Sequence, residues 1–73
     1  MKIDLKKEYY VLKLKGFEMY IGDNLGSIVF NENKALGFNS IKQAKERFKI
    51  IKNNTPQLGN FKDYECVKMY CYF

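Results

Sequence analysis

From Glu8 to Gly22, apolar side chains recur at every second position on either side of Lys15-Gly16. A period of two marks strands with one buried face, and a glycine that accepts positive φ between two such runs predicts a hairpin. Folded at that turn, the chain sets Leu14 opposite Phe17, Leu12 opposite Met19 and Tyr10 opposite Ile21. These six residues form one apolar face. The other face sets Val11 against Tyr20 and Lys13 against Glu18, the latter a favourable cross-strand charge pair.

Asp23-Asn24-Leu25-Gly26 is dense in turn formers. Ser27 to Phe30 then reads as a short strand, Asn31-Glu32-Asn33 as a turn and Lys34 to Phe38 as a further strand, with Ile28, Phe30, Leu36 and Phe38 directed inward. The period changes after Ser40. Ile41, Ala44, Phe48 and Ile51 recur at i, i+3, i+7 and i+10, the stripe of a helix that covers a core. Ser40 and Gln43 have the spacing of a capping box, each side chain taking the other's free backbone N–H. Asn53-Asn54-Thr55-Pro56 ends the helix, because proline cannot continue it. The last strand runs from about Tyr64 to Tyr72, where Val67, Met69 and Cys71 alternate with Cys66, Lys68, Tyr70 and Tyr72.

The expected fold is therefore α+β, a mostly antiparallel sheet of four to five strands with one helix on one face, in the order β-β-β-β-α-β. One helix covers one side of a sheet. What covers the other side becomes a question about function.

At 73 residues, 47% apolar and 16% aromatic, the chain is long enough for a single domain spanning residues 1–73. It must rely on large side chains, since a chain of this size buries only roughly 60% of its unfolded surface. Cys66 and Cys71 sit about 16 Å apart on an extended strand, beyond disulfide reach. They are expected as free thiols in a reducing compartment. No charged segment followed by an apolar stretch opens the sequence, and no stretch approaches membrane-spanning length. The expectation is a soluble protein of the cytoplasm that starts at Met1. A net charge of +5 favours acidic partners. Twelve of the thirteen basic residues are lysine, so part of that charge is also what an A+T-rich coding sequence would supply.

Chemistry is mostly excluded by what is missing. Without histidine the usual general base near neutral pH is gone, and no nucleophile elbow, phosphate-binding glycine loop or metal-ligand cluster occurs. No catalytic residue, cofactor or metal is expected. Two surfaces stand out instead. Tyr9, Lys13, Tyr20, Lys68, Tyr70 and Tyr72, joined by Val11, Glu18 and Tyr64, are expected on the sheet face away from the helix. Amphipathic aromatics interleaved with lysines suit a protein partner, a homodimer through that face, or stacked bases. Lys42, Lys45, Lys49 and Lys52 form a second stripe on the helix, either a solvated face or a docking surface for an anion.

Lys34-Ala35-Leu36-Gly37-Phe38-Asn39-Ser40-Ile41-Lys42-Gln43-Ala44 resembles a strand-to-helix passage, A-x-x-F-x-S-x-x-x-A, of small phage and prophage proteins of low-G+C Gram-positive bacteria. The resemblance rests on these 11 of the 73 residues. It implies no catalytic motif. Some members of that group inhibit host defence, anti-CRISPR proteins among them, which implies a non-catalytic protein that binds a host protein or protein–nucleic-acid complex in the host cytoplasm. The alternatives are a nucleic-acid-binding module that uses the basic surface, and a sponge for a nucleotide signal.

Overall fold

The computed structural model describes residues 6–72, with side chains for 7–71. Its elements are β1 (Lys6–Leu14), β2 (Tyr20–Ile21), β3 (Ile28–Val29), α1 (Ile41–Asn54) and β4 (Tyr64–Tyr72), with short 3-10 turns at Glu32–Lys34, Pro56–Leu58 and Phe61–Asp63. The four strands make one antiparallel sheet in the order β3-β2-β1-β4. The class is α+β, as the periodicities require, but the order is β-β-β-α-β. Where a strand over Lys34 to Phe38 was expected, only Phe38 bridges to Tyr10, and Leu36 N–H reaches the Ile21 carbonyl. That segment fills the flank of β1 beyond the end of β2.

The hairpin differs from its expected register by two residues. Lys13 stands opposite Tyr20, not Glu18, and Leu14 N–H bonds to the Met19 carbonyl. The turn itself sits at Lys15-Gly16 as expected, with Phe17 N–H closing on the Leu14 carbonyl and Gly16 at φ +80°, the position of a type II turn that needs positive φ. The register shifts because Phe17 and Glu18 lengthen the loop before pairing resumes. Phe17 is left exposed. A shift of two preserves the side-chain parity, so the apolar face survives with new neighbours.

Leu12, Ile21, Phe38, Ala44, Phe48, Ile51, Leu58 and Tyr64 form the core, with Leu14, Leu36, Phe61 and Cys66 packed against it. The Phe48 ring meets Phe61 edge-on and tilts against Tyr64. Ile41 stays exposed in the first turn of α1, and Ile28 and Phe30, expected inward, are exposed as well. Strand β3 is only two residues long, so nothing carries those side chains back over the core. Ser40 caps α1 by accepting the Gln43 N–H at 3.1 Å, whereas Gln43 Oε1 takes the Asn39 N–H, one residue earlier than a capping box would. At the other end Thr55 Oγ1 donates to the Leu25 carbonyl at 2.6 Å. Gly26, at φ +86°, lies so close that a Cβ there would come within 2.6 Å of Thr55 Oγ1. Asp23 closes this turn by accepting the Leu25 and Ser27 N–H groups at 2.9 and 3.1 Å, and those bonds hold its carboxyl below the ordinary value.

Candidate functional site

Strands β1 and β4 pair along nine residues, from Lys6 opposite Tyr72 to Leu14 opposite Tyr64. Directly opposed residues share a sheet face, so this register divides the expected tyrosine surface. Tyr9, Lys13 and Tyr20 are on the side away from the helix. Tyr64, Lys68 and Tyr70 are on the helix side with Leu12 and Leu14. The side chain of Tyr72 lies outside the described residues. One continuous aromatic face is therefore not built. Both alternating sets of β4 contain apolar side chains, and the strand docks with Cys66, not Val67, over the core.

The side away from the helix is closed locally. Val11 and Tyr20 are buried there, and Lys13 pairs with Glu65 at 3.5 Å. The Tyr20 hydroxyl donates to Glu18. Burial, followed by the charges of Glu18 and Glu32, raises the Tyr20 phenol above its ordinary pKa. Gly37 lies against the Tyr9 ring. At Tyr9 the chain returning from β3 to α1 thus supplies cover that the helix cannot. A shallow depression of about 350 Å³ remains between Lys7, Tyr9, Gly37, Asn39 and Cys71. Apart from Tyr9, none of these residues was expected in a binding surface, since no spacing signals a contact between a strand and a helix-entry loop.

On the helix, Lys42, Lys45 and Lys49 are exposed, whereas Lys52 donates to Asn60 Oδ1 at 2.8 Å. The ion pairs Lys13–Glu65 and Lys68–Glu8 are both elsewhere, on β1 and β4. Tyr9 and Tyr20, on the far side of the sheet, do not share a face with the helix lysines.

The outer edge of β4 was not visible beforehand. Within a strand, successive residues direct their N–H and C=O groups to opposite sides. Tyr10 and Leu14 of β1 bond away from β4, to Phe38 and Met19. Hence the odd residues of β1 bond to their odd partners Glu65, Val67, Met69 and Cys71, while Cys66 and Lys68 direct their N–H and C=O groups outward. Among the described residues no strand pairs with that edge. Tyr64 N–H is already taken by the Phe61 carbonyl. Lys68 Nζ stands 3.7 Å from Glu8, both half exposed, a pair of the kind that contributes little.

Both cysteines are free. Burial pushes the Cys66 thiol above its ordinary pKa, the opposite of an activated nucleophile. Among the described residues no three His, Cys, Asp or Glu side chains group to hold a metal ion, and no helix is long and apolar enough to cross a membrane. No protein-family model matches the chain, nor does any curated protein or solved structure.

Proposed function

We propose that this chain is a non-catalytic binding protein of a mobile element, acting by stoichiometric capture of a host macromolecule as an inhibitor of host defence. The origin and the defence role rest on the resemblance of residues 34–44 to small phage proteins. The binding role rests on the outer edge of β4, where Cys66 and Lys68 turn main-chain donors and acceptors toward solvent. An open edge of this kind is a template for another chain. The test uses the protein as immobilised bait in a lysate of a low-G+C Gram-positive host, beside a Lys68→Pro bait. A protein retained by the first and lost by the second supports the reading. No protein retained by micromolar parent bait overturns it.

A second reading, binding of nucleic acid along α1, is favoured by the exposed Lys42, Lys45 and Lys49. It requires a steep salt dependence, with each neutralised phosphate adding about −0.9 to the log–log slope on duplex DNA. Gel shifts at low salt with no retarded band contradict it.

A further inference from the structure

The open edge of β4 restricts what it can accept. Outward N–H and C=O groups at Cys66 and Lys68 are matched, residue for residue, only by another extended backbone. A strand laid beside β4 would meet Cys66 and Lys68 on the helix side and Glu65, Val67 and Met69 on the other. The first row contains a lysine whose weak pairing with Glu8 leaves it half exposed. The second centres on two half-buried apolar residues.

Charge separates the two sources of such a strand. A second copy brings another +5. In the two-fold register that pairs all of Tyr64–Tyr72 with itself, Lys68 also falls opposite Lys68, and like charges directly opposed across strands are destabilising. A foreign strand with a carboxylate at that place meets an attractive partner instead.

Resting on the binding role proposed above, we infer that the outer edge of β4 receives an extended segment of a partner protein, with an acidic side chain opposite Lys68 and apolar side chains against Val67 and Met69. The segment adds a fifth strand to the sheet by main-chain hydrogen bonds to Cys66 and Lys68. Lys68 sets the preference for acid, and the backbone supplies most of the adhesion.

Fluorescence polarisation tests this with a labelled nonapeptide of alternating valine and glutamate and its valine–lysine twin. The parent should bind the glutamate peptide at least about tenfold more tightly than the lysine one. Lys68→Gln, which keeps the outward N–H, should weaken binding of the glutamate peptide and erase the preference. Lys68→Pro, which deletes that N–H, should abolish binding while circular dichroism stays parental. Equal affinity for the two peptides, or no binding by the parent at millimolar peptide, overturns the acidic strand. So does a parent that sediments as a dimer which the peptide does not dissociate, because the second copy then owns the edge. A lysate partner held by the parent and lost by Lys68→Pro, with no peptide bound, overturns the acidic strand alone. A partner held equally by both baits removes the edge and leaves the binding role standing.

Discussion

The two halves of the β1–β4 pair have identical ladders and different surroundings. At the Leu12–Leu14 end the helix side is sealed by Phe48, Ile51 and Tyr64, and Val11 and Tyr20 are buried on the reverse. At the Lys7–Glu8 end, Lys7, Glu8, Tyr70 and Cys71 are all exposed. The molecule extends 48 Å in one direction and only 22 and 19 Å across. The first half is held by packing; the second depends on cross-strand bonds and pairs. An isolated two-stranded ribbon is at best marginally stable in water, so the outer half persists because the inner half anchors it. A ribbon projecting from a packed body is also where another chain can approach without disturbing the core.

The largest effect that would break this comparison lies in the body. Phe48→Ala should cost about 3–5 kcal/mol, a large share of what a domain this small has. Urea unfolding checks it, and a melting point within a few degrees of the parent would mean that α1 is not what seals Leu12. Next comes Met69→Pro, which deletes a donor aimed at β1 in the outer half. It should cost about 1–3 kcal/mol, the range for a backbone bond left unmade. Heteronuclear NMR should show the ribbon lost and the core resonances of Phe48 and Ile51 retained. Loss of both together would make the halves one cooperative unit.

Alkali should act on the body in a graded way. Burial raises Cys66, Tyr64 and Tyr20 above their ordinary values, with Asp63 adding to the effect at Tyr64. A folded pKa above the unfolded one means that the neutral form is favoured by folding. That contribution is complete below the ordinary thiol and phenol values and is lost as pH rises through the raised ones. Urea midpoints should therefore hold to about pH 8 and decline toward about pH 11, with the earliest part of the decline missing in Cys66→Ala. The smallest effect is at Lys68→Pro. Its N–H points outward, so stability should change by no more than about 0.5 kcal/mol. Adjacent prolines at 68 and 69 would thus differ sharply, which no account based on exposure alone predicts.

The class of fold was legible because periods two and 3.6 are separate signals, and β4 announced itself from Tyr64 to Tyr72 by alternation. The turn at Lys15-Gly16 was legible, but the two extra loop residues after it, Phe17 and Glu18, were not, since a register slip of two leaves both faces intact. Which face of β4 meets the core was not legible, because Tyr64, Cys66 and Tyr70 are as suitable for burial as Val67, Met69 and Cys71. Tyr20 looked like exposed surface and is buried on the side of the sheet away from the helix, beside Val11 and paired with Val29. The outward direction of Cys66 and Lys68 depends on which flank of β1 receives β4. Only the assembled sheet decides that.

Amide hydrogen exchange along β4, read residue by residue by NMR, tests the outer edge most directly. In the free protein, Cys66 and Lys68 should exchange quickly while Val67 and Met69 exchange slowly. Adding the valine–glutamate nonapeptide should slow Cys66 and Lys68 and leave the others unchanged. Slow exchange at Cys66 and Lys68 before any peptide is added, or fast exchange at Val67 and Met69, would contradict the account.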